Sequence, residues 1–320
     1  MNAARGSVVV LSGGVGGAKL VLGLTHVVPA DKLVVVANTG DDFEHAGLRI
    51  CPDIDTLMYT LAGEVNEETG WGRRDETWSF MDALERLGGE TWFRLGDRDL
   101  ATHIRRTQLL VDGAPLSSAT ADLCRHFGVR QRIVPMSDRA VRTRVIADTG
   151  VLDFQHYFVR ERAAPRVRRL EYVDAGSARP TDAALAALRD PTLAGIVVAP
   201  SNPYLSIAPI LAIPAMRAAI RAAAAPVVAI SPIVGDTAIK GPTAKIMREL
   251  GQEVSARGVA EYYGDLLDGF IVDASDGDAA PTFAGGRPEV AVRRTVMRTL
   301  DDKIALARDT LALLDSLAHR

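Results

Sequence analysis

Two wholly apolar runs divided by a glycine-rich loop constrain this chain more than anything else in it. The first is Val8-Val9-Val10-Leu11 and the second is Leu33-Val34-Val35-Val36-Ala37. Neither alternates with polar residues, so each is expected to be a strand buried on both faces, as in a parallel sheet. Between them stand Ser12-Gly13-Gly14-Val15-Gly16-Gly17-Ala18-Lys19 and an apolar segment that Pro29 stops. Strand, loop, a helix over about residues 17–26 and second strand make a βαβ unit with a right-handed crossover. Glycines let backbone N–H groups approach a ligand without interference from Cβ. A helix N-terminus beyond them favours an anion. Gly13, Gly14, Gly16 and Gly17 are more than a turn needs, and phosphate or nucleotide binding is the expectation.

The loop fits neither common fingerprint. A dinucleotide G-x-G-x-x-G requires glycine where Lys19 stands, and a P-loop requires Gly-Lys-Ser/Thr where the chain has Ala18-Lys19-Leu20. This argues against an ordinary nicotinamide oxidoreductase and against a P-loop NTPase. The second strand runs into Asn38-Thr39-Gly40-Asp41-Asp42, and Pro52-Asp53-Ile54-Asp55-Thr56 follows. Mg²⁺ keeps several waters and takes one or two carboxylates plus substrate phosphates. Asp41 and Asp53, from two adjacent loops, suit that role. Asp42 reads as a cap or a solvated group, and Asp55 as either a helix cap or a ligand contact.

The expected fold class is α/β: a Rossmann-like, doubly wound, mostly parallel sheet with an inserted α+β region. We expect a single domain over residues 1–320, with a core at 1–63 and 191–275, an insertion at 64–190 and a tail at 276–320. Inside the insertion, helices are expected at 77–87, 99–110 and 117–127, and strands at 141–147, 154–159 and 167–173. The parallel pattern resumes with strands at 195–199, 227–230 and 269–272, and one helix is expected over about 208–224. In such sheets the ligand crevice lies outside the carboxyl ends of the strands. Ser12, Asn38, Ser201 and Ser231 would share that edge.

Three further loops carry candidate chemistry. In Leu95-Gly96-Asp97-Arg98-Asp99, Asp99 reads as a cap, while Arg98 offers a fork for phosphate or carboxylate. His103, one turn on, reads as structural. Pro200-Ser201-Asn202-Pro203 brackets a hydroxyl and an amide between prolines, which suits a stiff hydrogen-bonding corner. Lys240 to Lys245 puts cations and amides at a helix start, a second anion site.

Formal net charge is −3, which argues against a nucleic-acid partner. Cys51 and Cys124 form no CxxC pair, so a reducing, cytoplasmic setting is expected. No membrane association is expected, because the most apolar long stretch, 211–228, carries Arg217, Arg221 and Pro226.

Residues 12–24, 38–59, 95–107, 135–138, 154–159, 200–211, 231–245 and 258–273 together resemble the 2-phospho-L-lactate transferase family of deazaflavin coenzyme F-420 biosynthesis. The resemblance implies a Mg²⁺-dependent transfer within a homodimer. The acceptor is the terminal ribityl hydroxyl of the 5-deazaflavin Fo. The donor is a guanosine diphosphate ester of lactate or enolpyruvate, and GMP leaves. An Ala/Arg-rich composition leans towards the actinobacterial, enolpyruvyl-using members. Carried over by position, Asp41 and Asp53 are metal ligands. Ser12, Gly13, Gly14, Gly16, Gly17, Lys19, Asn38, Ser201, Asn202 and Lys240 face the donor nucleotide. Asp53, Asp55, Asp97 and Arg98 lie on the deazaflavin side, with Asp55 and Arg98 expected to be catalytic and Asp55 the base. A related family of cell-wall and gluconeogenesis regulators shares the glycine loop and binds a UDP-sugar. Residues 95–103 and 154–159 argue for the transferase.

Overall fold

In the computed structural model, which describes residues 6–319 except Asp236, Ile239 and Lys240, the two apolar runs lie side by side. They are β1 (Ser7–Ser12) and β2 (Leu33–Ala37), paired in parallel with Val9 opposite Val34, and α1 (Gly14–Thr25) connects them. A short hairpin, β3 (Phe43–His45) and β4 (Leu48–Ile50), leads into α2 (Pro52–Ala62). Then come α3 (Ser79–Arg86), α4 (Asp97–Val111), α5 (Leu116–His126) and β5 (Arg132–Pro135). An antiparallel sheet follows from β6 (Arg142–Ala147), β7 (Gly150–Asp153) and β8 (Val167–Val173). The last part holds α6 (Asp182–Leu188), β9 (Leu193–Val198), α7 (Ala208–Leu211), α8 (Pro214–Ala222), β10 (Val227–Ile230) and the small ribbon β11 (Ile233–Val234) and β12 (Thr237–Ala238). It closes with α9 (Thr243–Glu249), α10 (Ala256–Tyr263), β13 (Gly269–Asp273), β14 (Glu289–Arg293) and α11 (Leu300–Ala318).

Seven strands make one sheet in the order β14-β13-β10-β9-β1-β2-β5, with every pairing parallel. Because successive side chains in a strand face opposite ways, each strand feeds two cores. Val8, Val10, Leu33 and Val35 pack with α1, α2 and α11. Val9, Leu11, Val34 and Val36 pack with α6, α8 and α10. Helices on both faces explain why these runs carry no polar alternation. A Cβ on Gly23 would collide with Lys303 O, so this glycine lets α11 lie against α1.

Two local expectations differ from the structure. Residues 154–159 do not form a strand: β7 ends at Asp153 and His156–Arg160 is a wide helical turn. Phe154 and Phe158 are four apart, and that spacing stacks their rings at 5.4 Å and 12°, which alternating strand residues cannot do. The single helix expected over 208–224 is broken. The segments Pro203–Leu211 and Pro214–Ala222 meet at 84°, because Pro214 takes the first position of a new helix. Among the described residues no single helix is long and apolar enough to cross a membrane.

Candidate active site

From β1 the chain moves to β2 and β5 on one side, while β9, β10, β13 and β14 extend on the other. The reversal lies between β1 and β9, where the crevice of a doubly wound sheet is expected. A cavity of about 750 Å³ opens there. On the β9 side its walls are the glycine loop, Lys19, Ser201, Asn202, Ser231, the start of α9 and Thr295 to Arg298. On the β2 side they are Tyr59, Trp71, Phe93, His103, Phe154 and Phe158. Asp41 and Asp53 line it as well.

The glycine loop is packed more tightly than a bare cradle. Helix α1 begins at Gly14, three residues earlier than expected, and Gly14 has φ +65°, a conformation that favours glycine. Its N–H donates to Asp53 Oδ1 at 2.6 Å. A Cβ on Gly16 would strike Pro200 O, and one on Gly17 would strike Ser12 Oγ and lie 2.7 Å from Ser201 Oγ. The glycines therefore let the loop after β9 close over the loop after β1. Ser201 Oγ seals the contact by donating to Gly13 O at 2.7 Å.

Asn38 is the hub of the carboxylates. Its Nδ2 lies 3.0 Å from Asp41 Oδ1, 2.9 Å from Asp53 Oδ2 and 3.2 Å from Leu205 O, all acceptors. Its Oδ1 accepts from Gly40 N at 2.8 Å and holds the turn that presents Asp41. Leu205 belongs to the turn Pro203–Ile207, which Asn202 Oδ1 caps by accepting from Tyr204 N and Leu205 N. One amide thus ties the loops after β2, β4 and β9.

These acids are crowded and buried. Burial, then the charges of Asp53 and Asp42, push the Asp41 carboxyl well above the usual carboxylate range. Burial pushes Asp53 up to about 6, against the hydrogen bonds from Asn38 and Gly14. Burial pushes Asp42 up to about 7, with the Arg142 charge opposing it. Carboxyls on a cavity wall whose ionised forms burial disfavours suit a cation that would offset their charge. No group of three or more His, Cys, Asp or Glu among the described residues makes a complete metal cage. Two carboxylates open to a cavity leave coordination positions for water and substrate oxygens.

A pH dependence follows. The fold holds the protons of Asp53 and Asp42 more tightly than the unfolded chain does. Their contribution is complete below the ordinary carboxylate range and is lost as pH rises through about 6 and about 7. With a chelator present, the melting temperature is expected to fall between about pH 5 and about pH 8. Asp42→Asn is expected to flatten the upper part of that fall. Scanning calorimetry measures the profile, and a rise across this range would contradict carboxyls that hold their protons in the folded state.

The remaining candidate residues are scattered. Ser12 is buried at the end of β1, beneath the loop and outside the cavity walls, and Lys240 lies outside the described residues. Lys19 lines the cavity and its Nζ donates to Met297 O at 3.2 Å. Both Asp55 oxygens face Arg106: Nη1 is 3.1 Å from Oδ2, and Nη2 makes a still shorter contact with Oδ1. A carboxylate held at both oxygens by a fully buried guanidinium is poorly placed to take a proton. Asp97 does not line the cavity. It accepts from Thr77 Oγ1, Ser79 N and Phe80 N and so fastens α3 to the start of α4. The Arg98 side chain is exposed and outside the cavity walls.

The match to the family model for 2-phospho-L-lactate transferase CofD spans residues 8–286. The chain belongs to the 2-phospho-L-lactate transferase CofD family. The "Phosphoenolpyruvate transferase" of Streptomyces coelicolor is 42% identical over 316 residues, covering 97% of this chain and 98% of that protein. The protein of the same name from Mycobacterium tuberculosis is 41% identical over 298 residues, covering 85% and 89%. A crystal structure of a upf0052-family protein from Bacillus halodurans is 15% identical with a TM-score of 0.61, covering 96% of this chain and 99% of that one. At that identity the likeness concerns the fold.

Two groups of cavity residues escape a reading of the sequence. Trp71, Phe93 and Arg94 sit in a stretch with no strong periodicity. Thr295 to Arg298 line the opposite end and lie beyond the part matched to the CofD family model. Asp273 holds them there, accepting from Thr295 N at 2.7 Å and Thr295 Oγ1 at 2.9 Å. Asp273 itself is visible in the sequence as the polar end of a buried strand, and that was the available signal.

Proposed function

We propose that this chain transfers a phosphoenolpyruvyl or 2-phospho-L-lactyl group from a guanosine diphosphate ester to the terminal ribityl hydroxyl of Fo, with Mg²⁺ and release of GMP. The names of the relatives favour the enolpyruvyl donor. The observation that carries the reading is a cavity with two unlike sides that meet at Asp41 and Asp53. The β9 side has a helix N-terminus, a lysine and hydroxyls, which suit a diphosphate. The β2 side has Tyr59, Trp71, Phe93 and the stacked pair Phe154–Phe158, which suit a flat deazaflavin.

In the reaction the acceptor oxygen bonds to the phosphorus of the transferred group. The bond from that phosphorus to the GMP oxygen breaks, and the acceptor proton goes to the departing GMP phosphate or to bulk solvent. Transfer of this kind asks mainly for position and charge neutralisation, and no covalent nucleophile. The start of α1 and Lys19 orient the diphosphate. Asn38 fixes both aspartates at the junction. The aromatic side excludes water from the acceptor hydroxyl. Asp41 and Asp53 would hold the Mg²⁺, which when bound neutralises phosphate oxygens. Asp55 acts by fixing Arg106.

Incubation with Fo, Mg²⁺ and each guanylyl donor, read by mass spectrometry, is expected to give an Fo-derived phosphodiester with the enolpyruvyl donor. Absence of any Fo-derived product with either donor overturns the proposal.

A further inference from the structure

One face of α4 carries a buried polar chain that ends in the cavity. Asp99, His103 and Arg106 are spaced at i, i+4 and i+7, and they meet Asp55 and Tyr59 of α2. Tyr59 OH donates to Asp99 Oδ1 at 2.6 Å. His103 Nε2 stands 3.3 Å from Asp99 Oδ2, and His103 Nδ1 stands 3.2 Å from Arg106 Nη1. All of these except Arg106 line the cavity.

The proton on His103 follows from its neighbours. A guanidinium has donors only and keeps its charge. Its 3.2 Å contact with Nδ1 is a hydrogen bond only with Nδ1 unprotonated, and that is the tautomer assigned to the ring. Asp55 Oδ2, at 3.7 Å, is too far to take a hydrogen bond from that nitrogen. The imidazole proton is then on Nε2, facing Asp99. That contact lacks full hydrogen-bond alignment, so it orients Asp99 Oδ2 without saturating it. An ionised carboxylate has room for about four hydrogen bonds. Tyr59 supplies one and His103 steers a second, and the Asp99 side chain, 17% exposed, opens to the cavity.

We infer that Asp99 accepts a hydrogen bond from a hydroxyl of the polyol-bearing substrate, and that Arg106 and His103 are positioning residues that aim it. The inference rests on the transferase reading for the identity of that substrate, Fo. Adjacent residues on a helix are turned by about 100°, so Asp97 and Asp99 face nearly opposite ways. Asp97 is spent on α3, and Asp99 is the acid of this loop that reaches the cavity.

The test is a kinetic split together with a spectroscopic one. Asp99→Asn is expected to raise the KM for Fo by roughly tenfold to a hundredfold, the scale of one hydrogen bond to a charged group. The KM for the guanylyl donor is expected to stay unchanged. In the unmodified protein, ¹⁵N resonances of His103 are expected to report Nδ1 unprotonated and Nε2 protonated. They are expected to shift on addition of Fo alone and not on addition of GDP alone. Product formation with an unchanged KM for Fo in Asp99→Asn overturns the inference, and so does a protonated Nδ1. If Asp99→Asn does not fold, or if the unmodified protein makes no product, the Fo titration decides. A shift then supports the inference and no shift overturns it. Failure to form product counts separately, against the transferase reading.

Discussion

Asp53→Asn is expected to lower kcat by roughly 10²–10³-fold, the scale for losing one preorganised charge-stabilising group, while the fold persists. Asp53 is placed by three elements at once. It sits in the first turn of α2, accepts from the Gly14 N–H at 2.6 Å and shares the Asn38 amide with Asp41. Asparagine matches its shape and can still accept from Gly14. It removes the charge, and with it the means to hold a cation beside phosphate oxygens. Burial already disfavours the ionised form, so the neutral replacement costs little in the folded state. One amide–amide contact with Asn38 is made worse, at about 1 kcal/mol. Urea unfolding checks the second half of this expectation. Turnover at varied Mg²⁺ checks the first, and near-normal rates at low Mg²⁺ would remove Asp53 from any metal site.

Arg106→Met is expected to destabilise the protein by about 3–5 kcal/mol, the usual result of removing one partner from a buried ion pair. Arg106 is 0% exposed and grips Asp55 across 51 positions of sequence, joining α4 to α2. Without it, the Asp55 charge stays buried near Cys51 and Tyr59 and loses the guanidinium that balances it. The companion change is more informative. Arg106→Met combined with Asp55→Asn is expected to recover most of the loss, because an ion pair exchanged for neutral groups is often close to neutral in stability. Denaturant unfolding of the two single variants and the double variant gives the coupling directly. If the double variant is no more stable than Arg106→Met, packing rather than charge joins these helices.

The parts legible in the sequence are those governed by local pattern. β1, β2, β10 and β13 stand out because a strand covered by helices on both faces leaves no polar alternation. Asn38, Asp41, Asp53, Ser201 and Ser231 stand out because each follows or closely trails an apolar run, and the ends of parallel strands share one edge. Arg106 shows the opposite case. An arginine on an amphipathic helix reads as solvated, and only the partner brought by α2 makes its burial tolerable. Phe154 and Phe158 are equally readable as strand or helix residues until the chain around them turns.

The sequence by itself determined the doubly wound parallel sheet and the edge at which the cavity opens, because these depend on apolar periodicity and on residue types at strand ends, and it carried the family through the resemblance of its loop segments. Only the tertiary structure decided what each polar group does. It gives the glycines to a close contact with the loop at Pro200, both Asp55 oxygens to Arg106, and Asp97 to α3. It gives Asp99 to the cavity. The reason is physical: a charge or a hydrogen bond is directional and short-ranged, so its role is set by the partner within about 3 Å. For Asp53, Asp55, Asp97 and Gly13 those partners lie 15 to 188 residues away in sequence.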